Sequence, residues 1–127
     1  MSSLRGLFVT GTDTDVGKTY VSSIILRELI DAGHSVGVSK PACSGAVVEA
    51  GEPRWPDLEQ LAEAAGLSNV DLICRQKFKA ALAPPVAASL EGLQPDLAEM
   101  QENFLAWESR ADFVVVEGVG GLLCPLT

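Results

Sequence analysis

The stretch Gly11-Thr12-Asp13-Thr14-Asp15-Val16-Gly17-Lys18-Thr19 constrains this chain more than any other. It stands between the apolar run Leu7-Phe8-Val9 and a second apolar run that begins at Val21. A polar, glycine-bearing segment between two elements that seek burial reads as strand, loop and helix, with the loop as the site the elements support. A phosphate-binding P-loop needs these residue types. Its backbone N–H groups must point inward at phosphate oxygens, so side chains have to be small or turned away. A helix opening at Gly17 aims its positive end at the anion. Lys18 adds a point charge for the β- and γ-phosphates, and Thr19 offers a hydroxyl to Mg²⁺. The common spacing has four residues between the glycines, whereas five separate Gly11 from Gly17. The competing reading is a glycine-rich strand-to-helix turn with a chance Lys-Thr. The strand, loop and helix all fall where the motif demands, which argues against chance.

The rest of the chain repeats the alternation. Residues 17 to about 32 have helical spacing, with Val21, Ile24, Ile25 and Leu29 on one face and Leu26 and Ile30 widening it. Gly33 can take the left-handed position that ends such a helix. Val36 to Ser39 forms a second strand, stopped at Lys40-Pro41 because proline cannot continue a ladder. Residues 43 to 56 hold several Gly and Pro breakers and read as a loop. Leu58 to Ala65 reads as a helix with Asp57 at or near its start. Asp71 to Phe78 is ambiguous, with an extended reading open. Ala83-Pro84-Pro85 is a break before a short apolar segment ending at Leu90. Pro95 can be a first helical residue, after which Leu97, Met100, Phe104 and Trp107 recur as a core stripe. Phe113-Val114-Val115-Val116 is apolar on both faces, which marks a central parallel strand covered by helices on both sides. It runs into Glu117-Gly118-Val119-Gly120-Gly121. The expected fold is therefore α/β, P-loop NTPase-like and doubly wound, with a mainly parallel sheet, built as a single domain over residues 1–127.

Charge and composition remove other classes. The 47% hydrophobic content marks a core-forming chain rather than a disordered one. A net charge of -8, with no run among the nine basic residues, argues against nucleic acid as a partner, since phosphate backbones are met by Lys and Arg clusters. No window resembles a membrane-spanning segment, and the N-terminal stretch does not read as a signal peptide. Cys43, Cys74 and Cys124 have no C-x-x-C spacing, so reduced thiols in a cytoplasmic protein are expected.

Three further side chains draw attention by position. Glu117 directly follows an apolar strand and so reaches the carboxyl edge of the sheet, a natural place for a Mg²⁺ ligand; a solvated strand-end charge is the other reading. Lys40 follows the second strand and emerges at the same edge. Spacing alone leaves it equally a surface lysine or a charge for a transferring phosphoryl group. Asp57 by itself reads as a helix cap. His34 follows a helix end, which makes a histidine general base improbable.

Four segments together, "GTDTDVGKTYVS", "SKPACSG", "ALAPPVAA" and "VVVEGVGGLLCPL", resemble dethiobiotin synthetase. The same additional residue separates the glycines of that family's P-loop. The resemblance covers the family's N-terminal half to two-thirds, so the domain is expected to be incomplete at its C-terminus. It implies that Thr14, Asp15, Val16, Gly17, Lys18, Thr19 and Tyr20 hold the nucleotide, with Thr14 also facing the substrate. Lys40 and Lys18 become catalytic residues, and Ser44 becomes a substrate contact. Thr19, Asp57 and Glu117 become Mg²⁺ ligands in the nucleotide site, with Gly118, Val119 and Gly120 beside them. Asp15 stands where the family often has Glu, and Trp55-Pro56 precede Asp57 where small polar residues are usual. The implied partners are ATP as co-substrate, CO₂ or bicarbonate, 7,8-diaminononanoate and a second copy of the chain, with neither nucleic acid nor membrane. The portion beyond this resemblance would carry adenine recognition and much of the dimer contact.

Other P-loop readings share the fold. A partitioning-type ATPase switch has an additional lysine early in its P-loop, where this chain has Thr12 and Asp13. An amide-forming ligase acting on corrin precursors and a nucleotide-binding remnant without catalysis are the remaining alternatives.

Overall fold

The computed structural model describes residues 4–12 and 17–127. Its central sheet has three strands: β1 (Arg5–Val9), β2 (Val36–Ser39) and a last strand, Phe113–Glu117. The last strand lies between the other two and runs parallel to both. β1 is joined to β2 through helix α1 (Lys18–Asp31). The register pairs Val9 with Glu117 and Ser39 with Val116. All three strands therefore end at one edge, the edge where ligands bind in such sheets.

Pleating explains why the two faces differ. Successive side chains point to opposite faces. Val38 and Val115, paired in register, are both buried in the cluster formed with Leu26 of α1 and with Leu58 and Leu61 of helix α2 (Pro56–Ala65). Gly37 and Val114, one residue back, face the other way. There the Trp107 ring lies so close that a Cβ on Gly37 would be 2.5 Å from it. Trp107 follows the helix Leu97–Leu105, so helices cover both faces, as the doubly wound reading requires. Glu117 continues the parity of Val115, and Lys40 that of Val38. Both are thus directed toward α1.

The ends of α1 are set by local chemistry. Gly17 stands before it at φ 93°, a conformation open mainly to glycine. At the far end Gly33 has φ 93°. The N–H of Gly33 donates to Ile30 O and that of His34 to Leu29 O, the paired bonds of a Schellman stop. The buried face is not the expected one. Val21 and Ile24 are exposed, while Ser22, Ser23 and Leu26 are buried. The helix has turned its small hydroxyl residues toward the sheet. β1 also departs from expectation: Leu7 and Phe8 are exposed, because among the described residues β1 is an edge strand with one partner.

Segments expected to be irregular carry structure. Within residues 43 to 56 lie β3 (Cys43–Ser44) and the hairpin of β4 (Val47–Glu49) and β5 (Glu52–Arg54). The hairpin turns on Ala50 and Gly51, both at positive φ, the conformation of a two-residue turn matched to strand twist. The ambiguous stretch forms a 3₁₀ turn at Val70–Leu72 and the short β6 (Lys77–Phe78), which pairs in parallel with β3. The Pro84-Pro85 break is instead the start of helix α3 (Pro84–Leu90), where first-turn N–H groups are dispensable. Helix α4 is Leu97–Leu105 and the central strand is β7 (Phe113–Glu117). Pro95 is not its first residue. Asp96 caps α4 by accepting from the Glu99 N–H at 3.2 Å, which ends the competition for the N-terminus. Of the expected stripe Met100 and Trp107 are buried and Leu97 is exposed. Among the described residues no helix is long and apolar enough to cross a membrane.

Candidate active site

The ends of β1, β2 and β7 open onto a cavity of about 440 Å³. Gly17, Lys18, Thr19 and Tyr20 form its α1 side. Lys40 and Ser44 reach it from the segment after β2, and Asp57 from the first turn of α2. Val119 and Gly120 close it beyond β7. The structure therefore gathers around one cavity residues that lie far apart in sequence: Lys40 and the end of the P-loop, expected at this edge from the strands, and Ser44 and Asp57, expected from the resemblance. Thr14, Asp15 and Val16 lie outside the described residues. Gly118 enters through its carbonyl oxygen rather than as a wall of the cavity.

A buried carboxylate organises the interior. Glu117 is fully buried, and each of its oxygens accepts a bond. Oε2 accepts from Thr19 Oγ1 at 3.1 Å and from Lys40 Nζ at 3.0 Å. Oε1 accepts from Ser22 Oγ at 3.2 Å. The Lys40 ammonium donates also to the Gly118 carbonyl at 2.9 Å, and its side chain is only 5% exposed. A buried ionised carboxylate is tolerable only with such partners. The surface reading of Lys40 and the solvated reading of Glu117 are both overturned by this burial. Asp57 has its place in the first turn of α2, where an acid also complements the helix dipole.

The α2 start is held by Trp55, whose Nε1–H donates to the Phe78 carbonyl at 2.9 Å. The Trp55-Pro56 pair thus fixes where Asp57 meets the cavity. Cys43 also lines the cavity, yet burial pushes its thiol up to about 12, with Lys40 opposing the rise and Asp57 and Glu117 adding to it. A thiol so protonated is no nucleophile at neutral pH. His34 pairs instead with Asp112 at 3.5 Å, near the opposite ends of the strands.

Sequence reasoning missed Ser22. A signal was present: Ser22 follows Thr19 by three residues, which puts both hydroxyls on one helix face. Leu82, Ala83 and Cys124, also on the cavity wall, lie within two of the four segments that carry the resemblance but were given no role of their own.

Known proteins share this arrangement of sequence. The chain is 41% identical over 123 residues to the ATP-dependent dethiobiotin synthetase BioD of Rhodopirellula baltica, covering 94% of this chain and 48% of that protein. It is 50% identical over 125 residues to the protein of that name from Anaeromyxobacter dehalogenans strain 2CP-C, covering 98% and 54%. With that of Brachyspira hyodysenteriae it shares 34% over 122 residues, covering 96% and 54%. The chain thus spans about half the length of the curated relatives it matches. The AAA domain family matches residues 5–127, which takes in β1, the P-loop and everything through β7. With a family model matching nearly its whole length, this chain belongs to the AAA domain family.

Proposed function

We propose that this chain is the P-loop part of an ATP-dependent dethiobiotin synthetase acting on 7,8-diaminononanoate and CO₂. The observation that carries the reading is the convergence of Lys18, Thr19 and Lys40 on one cavity, with Thr19 and Lys40 both bonded to the buried Glu117 behind it. The names of the relatives support ATP dependence and dethiobiotin as the product, and the diamine and CO₂ are carried over from the family resemblance. One amine of the substrate captures CO₂ as a carbamate and releases a proton. A carbamate oxygen attacks the γ-phosphorus of ATP, the bond to ADP breaks, and a carbamic-phosphoric anhydride forms. The second amine then attacks the carbonyl carbon, expels phosphate and closes the cyclic urea. Two anions must meet in this sequence. Lys18 and Lys40 supply the positive charge between them, in a cavity where charge is poorly screened. Ser44 contacts the diamine. Little proton-transfer machinery is required, consistent with the lone histidine lying away from the cavity.

Mg²⁺ fits the residues present. Thr19 Oγ1, on the cavity wall, lies 3.1 Å from Oε2 of the buried Glu117 behind it. Among the described residues no group of three or more His, Cys, Asp or Glu would cage a metal without substrate. One acid beside a hydroxyl suits a cation that also takes phosphate oxygens and water. Thr19 and Glu117 would hold it, with Asp57 on the cavity wall, and it would neutralise charge on the phosphates. The reading carries with it a homodimer in the cytoplasm.

The test is ADP release by the protein with bicarbonate and diamine supplied together or singly. Turnover should require both. An ATPase indifferent to bicarbonate would overturn the synthetase reading and favour a nucleotide switch.

A further inference from the structure

We propose that Ser22 is a positioning residue for Glu117, fixing the plane of its carboxylate so that one oxygen is held toward Thr19 and Lys40 and is the one offered to a cation. The inference rests on the reading that Thr19 and Glu117 hold Mg²⁺ with the nucleotide. The two carboxylate oxygens have different partners. Oε2 accepts from the Lys40 ammonium and the Thr19 hydroxyl. Oε1 accepts from the neutral Ser22 hydroxyl, at 3.2 Å and out of reach of solvent. The last torsion of a glutamate is broad, so burial alone does not fix the plane in which the carboxylate meets Thr19 and Lys40. A donor on the inner oxygen does.

Packing does not call for a serine here. The residue is fully buried on the sheet-facing side of α1, where alanine would be the better helix former. Serines in helices commonly bond back to their own backbone. Ser23 does this, donating to Thr19 O at 2.7 Å. Ser22 instead reaches across 95 residues of sequence to the strand end. Its hydroxyl is committed to the carboxylate rather than to the helix.

The experiment is calorimetric titration of ATP into the chain across a series of Mg²⁺ concentrations, and again in EDTA. Ser22→Ala should raise the Mg²⁺ concentration giving half of the metal effect by about five- to tenfold. Affinity for ATP in EDTA should stay within about twofold, because the P-loop backbone is untouched. In a Glu117→Gln background the same Ser22→Ala change should move the Mg²⁺ midpoint by less than about twofold, since the oxygen it fixed has lost its role. Equal shifts in both backgrounds would mean a merely structural serine and overturn the inference. So would an unmoved midpoint in Ser22→Ala while the parent chain remains Mg²⁺-dependent. Mg²⁺-independent ATP binding by the parent chain would remove the reading of Thr19 and Glu117 as well.

Discussion

Lys40 Nζ and Glu117 Oε2 meet at 3.0 Å, with the two side chains 5% and 0% exposed, although 77 residues separate them in sequence. The pair is possible because β2 and β7 are neighbours in register, and because both residues fall on the α1 face of the sheet. Removing one partner leaves the other charge buried and alone. Lys40→Met should therefore destabilise the chain by about 3 kcal/mol, and adding Glu117→Leu should recover part of that loss. Urea unfolding of the single and double variants checks this. Equal stability of parent and Lys40→Met would refute the burial of an ionised pair.

Lys18 stands at the cavity on the first turn of α1. Lys18→Ala should lower affinity for Mg²⁺–ATP by two orders of magnitude or about that, through loss of a charge-assisted phosphate contact. Isothermal titration calorimetry is the readout, and unchanged affinity would exclude the P-loop assignment.

The contact of Gly37 with Trp107 offers a test of the face opposite α1. A Cβ at Gly37 would meet the indole at 2.5 Å. Gly37→Ala should cost about 1–3 kcal/mol by overpacking, with the near-ultraviolet signal of the indole altered. Thermal melting of Gly37→Ala beside a Gly37→Ala, Trp107→Leu double variant would show whether relieving the ring restores stability.

Ala50 is the one described non-glycine residue at positive φ, 52° in the β4–β5 turn. Asparagine tolerates that region better and makes the Asn-Gly pair that such turns favour. Ala50→Asn should raise stability by about 0.5–1 kcal/mol, measured by chemical denaturation. A loss of stability would contradict the turn described.

The thiols give a pH dependence. Burial holds Cys43 up at about 12 against an ordinary 9.0, and raises Cys74 as well. Between those values the unfolded thiolate forms while the folded thiol keeps its proton. Stability is therefore unaffected by these groups below about pH 9 and falls as pH rises toward about 12. In the folded chain at pH 8, iodoacetamide should modify Cys124, the half-buried cysteine, and spare Cys43 and Cys74. Peptide mass spectrometry reads the pattern, and rapid labelling of Cys43 would contradict its burial.

What could be read from the residues alone was whatever local chemistry enforces. Gly17 and Gly33 mark conformations that other residues resist, so both ends of α1 were legible. Lys18 and Thr19 are set by the phosphate they would meet, and Phe113 to Val116 by double-sided burial. Lys40 and Glu117 could each be assigned to a strand end, because a strand's end is a local fact. Their union was decided by the tertiary structure. It depends on β7 inserting between β1 and β2, and no periodicity within any one segment encodes the neighbour of another. The same reason governs the rotation of α1: spacing suggested Val21 and Ile24 for the core, yet Ser22 and Ser23 face the sheet. A helix shows its candidate faces in its own sequence, but which face is buried is determined by what the rest of the chain brings against it, and here that was a carboxylate in need of a hydroxyl.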